Sequence, residues 1–212
     1  VTYLYHSKYG RCTNGKCEEL TINNCSIFTT GIGADTVSAS SSSTTCATDK
    51  NKYNGESGVK ASTTGNVYGV YDMSGGSLEY TMGNMVNGSN QFNPLNANNW
   101  STTTYPSAKY YDRYTYNSSY TTYTRGRLGD ATVEMNPSSS FHTSWYSDYA
   151  HFPYSSDSWF FRGGVYDLGP DAGAFYFYSC SGYADDNSSF RVSLGAQASW
   201  SQSALSGVTL FT

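Results

Sequence analysis

Asn66-Val67-Tyr68-Gly69-Val70-Tyr71-Asp72-Met73-Ser74-Gly75-Gly76-Ser77-Leu78-Glu79-Tyr80 is the stretch from which the fold is read. Val67, Val70, Tyr71, Met73, Leu78, Tyr80 and Met82 put apolar side chains on both sides of Gly75-Gly76. A glycine pair between two apolar runs predicts a turn, because glycine enters backbone conformations closed to other residues. Upstream, residues 35–65 are rich in Ser, Thr, Gly and Asn and read as a long loop. Farther back, Val1, Tyr3 and Tyr5 alternate loosely, and Leu20 and Ile22 follow a pair of cysteines. That pattern predicts a hairpin-like, stapled start.

Downstream, Tyr105–Tyr114 has Pro106 near its start and is read as a short helix. Leu128–Met135, Trp145–Tyr154, Trp159–Val165, Ala174–Tyr178 and Phe190–Leu194 are short apolar pieces punctuated by Gly, Pro, Asp and Ser. No fixed-period repeat is present. The expected architecture has short strands, one or two helices and long packed loops. The tail after Gly195 is rich in Ser, Ala and Gln.

Composition narrows the function classes. The chain has 212 residues, 13% charged and 17% aromatic, with 21 Tyr. So many aromatics exclude a disordered polyelectrolyte. A net charge of −4 and a pI of about 5.2, with no Lys/Arg patch, argue against nucleic acid as a partner. No apolar run nears the roughly 20 residues of a membrane span. Tyr joins a large contact area to a polar tip, and Tyr, Ser, Gly and Asn together are the composition of binding surfaces. The chain opens on Val1-Thr2-Tyr3 with no signal-peptide pattern, as expected of a processed or trimmed start.

Four of the five cysteines, Cys12, Cys17, Cys25 and Cys46, fall near the start, and Cys180 stands alone. Cys12 and Cys17 bracket a turn-like Thr-Asn-Gly-Lys suited to a small disulfide loop, and Cys25 with Cys46 could close a second. Four cysteines allow three connectivities, and spacing does not choose among them. Zinc is the rival reading, weakened because Cys25 and Cys46 form no close pair. Disulfides point to export.

The quoted stretch resembles a signature of the formylglycine-generating enzyme (sulfatase-modifying factor) superfamily, N-x-x-G-L-x-D-M-x-G-N-V-x-E-W. Asn66, Gly69, Asp72, Met73, Gly75 and Glu79 match, whereas Gly76 stands for the Asn and Tyr80 for the Trp. A second motif, Trp159-Phe160-Phe161-Arg162-Gly163-Gly164 and then Phe190-Arg191-Val192, resembles the superfamily's R-G-G-S … G-F-R ending. The resemblance implies an α+β, C-type lectin-like fold with a small twisted antiparallel sheet, about two helices and much irregular backbone. On that reading residues 1–60 are a disulfide-stapled N-terminal part, 61–195 the core and 196–212 a tail. Asp72 and Glu79 are natural bidentate partners for Arg162 and Arg191. With Gly163 and Gly164 they read as scaffold rather than catalytic groups.

The superfamily's generating enzymes use a copper-binding cysteine pair soon after R-G-G, and that pair is missing here. One thiol, Cys180, cannot supply two-thiolate coordination. Iron-dependent members use a His cluster, whereas His6, His142 and His151 show no ligand spacing. No G-x-S-x-G, P-loop or G-x-G-x-x-G occurs. No catalytic residue is assigned and an enzyme is not expected. Asp185-Asp186-Asn187 reads as a solvated turn, with a structural calcium site as the alternative. No other cofactor is expected.

Val165 to Ser189 contains no Lys, Glu, Gln, Met or Trp, and all its residues have codons ending in a pyrimidine. Diversity-generating retroelements leave that signature on C-type lectin-like proteins, so the resemblance implies a variable receptor-binding face; a small-residue loop of biased composition is the alternative. Tyr166, Asp167, Asp171, Tyr176, Tyr178, Tyr183, Asp185, Asp186 and Asn187 are the candidate ligand contacts. Strand alternation would turn Phe175 and Phe177 inward and Tyr176 and Tyr178 outward. The expected protein is secreted or on the cell surface, bacterial or phage-associated, and binds a protein or glycan without catalysis. The alternatives are a metal-dependent oxidase-like enzyme and a structural pilus or envelope subunit.

Overall fold

The computed structural model describes residues 11–13, 16–37, 39, 46, 48–89, 112–116, 118 and 145–191. Within them the chain is mixed α/β, with a two-stranded hairpin, a small five-stranded sheet, short helical turns and no long helix. A hairpin pairs β1 (Arg11–Thr13) with β2 (Lys16–Glu18), setting Cys12 opposite Cys17 in the register. The disulfide expected there falls on side chains outside the described residues. So do His6, His142, Leu128–Met135 and the tail 196–212.

The main sheet has five strands. Its centre is β3 (Leu78–Met85), the continuation of the signature stretch. β4 (Asp112–Tyr114) runs parallel to the far half of β3 and β7 (Ser188–Phe190) parallel to its near half. On the other side β5 (Trp159–Arg162) pairs antiparallel with β3, and β6 (Phe177–Cys180) pairs antiparallel with β5. Asp112–Tyr114 is therefore a strand, where a helix was expected. A three-residue ladder against Met85 suits the aromatic Tyr114, whose ring packs on the core.

Trp159, Phe160 and Phe161 are all buried, because both faces of β5 are covered. On one face Met85, Ala150, Phe152, Phe160 and Phe177 form the largest cluster. Ring centroids there lie 4.6 Å apart for Phe160–Phe177 and 5.5 Å for Phe152–Phe160. Removing one such ring costs about 3–5 kcal/mol. On the other face Phe161, Tyr176 and Cys180 pack with Leu78, Tyr80, Tyr149 and Leu168. Among the described residues, short 3-10 turns occur at Gly58–Ala61 and Gly169–Asp171, and a tight turn with left-handed Tyr146 and Ser147 at Trp145–Ser147.

The N-terminal segment packs onto this frame. Ile22 and Ala34 pack with Ala172, and Leu20 with Phe175. Cys25 and Cys46 form a disulfide across 21 positions, which removes the zinc reading for that pair. It closes the start of the Ser/Thr-rich stretch against Ile32.

Candidate functional site

The two motifs meet in space. Gly75 N–H donates to the Gly163 carbonyl at 2.8 Å, and Tyr166 N–H to the Gly76 carbonyl at 3.0 Å. Asn23 pairs with the first motif at Gly75. Its amide donates to the Ser74 carbonyl, and its own carbonyl accepts the Gly76 amide. Gly75, at φ 73°, lies so close to Ile22 and Asn23 that a Cβ would fall 2.4 Å from the Ile22 side chain. Only glycine fits that crossing.

Glu79 takes a bidentate pair from Arg191, Nη2 donating to Oε1 at 2.5 Å and Nε to Oε2 at 3.2 Å. Arg191 also donates to the backbone carbonyl of Asp72 at 3.2 Å. A contact between Glu79 and an arginine was expected. The Asp72 carboxylate does something else: it accepts the side-chain amide of Asn23 at 2.7 Å and the Gly31 amide at 3.2 Å. Its left-handed φ of 58° turns the side chain toward the N-terminal segment rather than toward a guanidinium. Burial, opposed by these two bonds, raises its pKa above the ordinary value. Arg162 reaches the Ala174 carbonyl at 2.7 Å and lies 5.7 Å from the centre of the Phe177 ring. The expected pairing of Asp72 with an arginine side chain is thus replaced by a link to residues 23–31.

Beside the Glu79–Arg191 pair is an open cavity of about 440 Å³, with Asp72 at its wall and Phe28, Tyr71 and Phe190 among its aromatic lining. Phe190 is 76% exposed, an unusual position for so large an apolar ring. Tyr166, a candidate contact, stands edge-on to Phe28 with centroids 5.5 Å apart.

A second feature lies along β6. Tyr178, 37% exposed, contacts Tyr149 at 5.6 Å and His151 at 5.5 Å between ring centres. His151 continues to Tyr154 at 6.1 Å, and Tyr149 to Tyr176 at 6.2 Å. The rings form one ladder, rooted in the core at Tyr176 and open to solvent at Tyr178. Tyr183, 49% exposed, is held nearby. The Tyr80 hydroxyl donates to the Tyr183 carbonyl at 2.7 Å and lies 3.1 Å from Cys180 Sγ. Sγ in turn accepts the Gly182 amide at 3.3 Å. Burial and this thiol push the Tyr80 hydroxyl pKa well up, so it stays a donor. Burial pushes the His151 ring down, favouring the neutral form, and its Nδ1 lies 3.3 Å from Ser179 Oγ.

The structure thus brings Tyr178, Tyr183 and the neighbouring Asp185 together and places Tyr166 at the cavity side. Asp167 and Asp186 are exposed, Asn187 is half-buried, and the Asp171 carbonyl accepts the Tyr149 amide. Tyr176 is not displayed. It is 4% exposed, packed on Phe161 and Cys180, although alternation put it outward. It precedes β6 in a turn closed by its amide on the Gly173 carbonyl, so strand alternation does not govern it. Phe175 and Phe177 are buried as expected. Tyr149, His151 and Tyr154 were not among the candidates. Their signal was the aromatic run Tyr149-Ala150-His151-Phe152-Pro153-Tyr154.

Asp185 accepts the Asp186 amide at 2.7 Å, and its carbonyl accepts the Ser188 amide, which makes a tight turn. Among the described residues no group of three or more His, Cys, Asp or Glu could hold a metal ion. No helix among them is long and apolar enough to cross a membrane.

No family model, curated protein or solved structure matches the chain.

Proposed function

We propose that the chain is a non-catalytic ligand-binding module of the formylglycine-generating-enzyme-like, C-type lectin type, acting outside the cell as an adhesin or receptor-binding domain. The observation that carries this reading is the aromatic ladder, rigid at Tyr176 and solvent-facing at Tyr178, with Tyr183 and Asp185 beside it. Rigid aromatic anchors with an adaptable polar rim are what a binding face needs, because little side-chain entropy is lost on contact. The partner is a protein or a glycan. The Cys25–Cys46 disulfide is compatible with an extracellular setting.

The test is a screen of immobilised glycans and surface proteins with the wild-type chain and a Tyr178→Ala/Tyr183→Ala variant. Binding by the wild type and its loss in the variant supports the reading. Equal binding by both moves the site away from β6.

A different observation favours a second reading. Ile27, Tyr53, Val67, Tyr68 and Val70 are all exposed. The Tyr71 hydroxyl ties two of these segments together, donating to the carbonyls of Tyr53 at 2.7 Å and Asn66 at 3.3 Å. Such apolar area suits packing against neighbouring subunits in an envelope assembly. Concentration-dependent association, abolished by Tyr68→Ser, would support it, and a monomer at high concentration would count against it.

A further inference from the structure

Two carboxyl groups meet where the chain leaving β2 passes the loop that leads into β6. The Glu19 and Asp148 side chains face each other within hydrogen-bonding reach. Asp148 is 1% exposed. Its Oδ2 accepts the Phe175 amide at 2.8 Å. Its Oδ1 is buried and receives no N–H or hydroxyl donor. Gly173 lies so close that a Cβ there would fall 2.1 Å from Oδ2, so only glycine leaves space for this carboxyl.

A carboxylate is only an acceptor, so a bond between two carboxyls requires a proton on one of them. Two such groups in contact cannot both ionise without strong repulsion. We propose that Glu19 and Asp148 are held together in protonated form, and that loss of the pair's protons opens the joint between the N-terminal segment and the lead-in to β6. The dyad is then a proton-operated latch. The elements on either side are the ones it would move. Leu20 follows Glu19 and packs on Phe175, while Tyr149 follows Asp148 and belongs to the aromatic ladder.

The groups facing the pair come from every element around it. Arg162 at the end of β5 favours an ionised Asp148, and the Phe175 amide does the same. Tyr146, in the turn before Asp148, has its own hydroxyl pKa raised, by burial first and then by the two acids. Burial outweighs the ionising influences: it pushes Glu19 up to about 7 and Asp148 up to about 8. Both values lie above those of the unfolded chain. The stabilisation is therefore full in acid, below the ordinary carboxyl range, and is lost as pH rises through about 7 and then about 8.

The test compares thermal melts of the wild type, Glu19→Gln and Asp148→Asn from about pH 5 to about pH 9. Each amide can donate the bond that a carboxyl proton supplies, without titrating. The wild type should lose several degrees of Tm toward the alkaline end, and the variants distinctly less. Exchange of the Phe175 amide, followed by NMR, should accelerate with pH beyond the intrinsic base-catalysed rise in the wild type only. Equal pH slopes in all three proteins, or a Phe175 amide that follows the intrinsic rate throughout, would overturn the latch. If Asp148→Asn fails to fold, Glu19→Gln carries both readouts, since Glu19 is the less buried partner.

Discussion

Gly75 N–H donates to the carbonyl of Gly163 at 2.8 Å, and so joins two motifs that lie far apart in the chain. The next glycine, Gly164, is pressed against Ala172. A Cβ on Gly164 would fall 2.7 Å from the Ala172 Cβ, whereas one on Gly163 would meet nothing nearer than 3.8 Å. Both residues have positive φ, 85° and 77°. Gly163→Ala should therefore cost only the left-handed backbone penalty, about 1 kcal/mol, and Gly164→Ala about 3 kcal/mol or more. Denaturant unfolding of the two variants checks this. Equal losses would show that Ala172 yields to the added methyl.

The Glu79–Arg191 pair should show direct coupling. The carboxylate side chain is 19% exposed and the guanidinium 35%, so solvent screens the pair only in part. A double-mutant cycle with Glu79→Gln and Arg191→Met should give a coupling of about 1–2 kcal/mol. A coupling near zero would mean that Arg191 acts mainly through the Asp72 carbonyl.

Loss of the Cys25–Cys46 bridge should lower stability by about 3 kcal/mol, from the freedom returned to the closed segment in the unfolded chain. Melting of Cys25→Ala/Cys46→Ala beside the wild type measures it. An unchanged Tm would show that Ile22, Ala34 and Ala172 hold the segment unaided.

His151 gives an acid limb of opposite sign to the Glu19–Asp148 pair. Burial lowers its pKa from 6.5, so the fold gains from the neutral ring above that value and loses the gain as pH falls through the depressed folded value. His151→Gln should flatten the loss of Tm on acidification below about pH 6.5. If the variant and the wild type decline in parallel, other groups govern that limb.

Comparison of the same locus in related strains tests the binding face. Substitutions should gather at exposed positions such as Tyr178, Tyr183, Asp185 and Asp186, while Ala172, Phe175, Tyr176 and Phe177 stay fixed because they are packed. Variation spread evenly over Val165 to Ser189, buried positions included, would sink the diversified-face reading.

What was legible in the residues depended on locality. The chain reversal expected at Gly75-Gly76 and the buried Phe175 and Phe177 rest on patterns a few residues long. That Glu79 would meet Arg162 or Arg191 was legible because charge is scarce: only six Arg occur in the chain. The helix read at Tyr105–Tyr114 ends as a strand because a three-residue piece takes its state from its neighbour, here β3. Tyr176 was misread because a period of two was applied across a turn. The meeting of Glu19 with Asp148, and of Asp72 with Asn23, has no local signature. Both depend on how the N-terminal segment crosses the sheet, which only the assembled fold reveals.

β6 is the outermost strand of its row, yet at Phe177 its free edge is already taken. Phe177 N–H donates to the Tyr149 carbonyl at 2.9 Å, and the Phe177 carbonyl accepts the His151 amide at 2.7 Å. A visiting chain cannot zip on there as one more strand. Any contact made with Phe177 from outside has to go through side chains rather than through strand addition. At Phe177 the backbone groups that an outer strand would leave open are spent inside the same chain, on Tyr149 and His151.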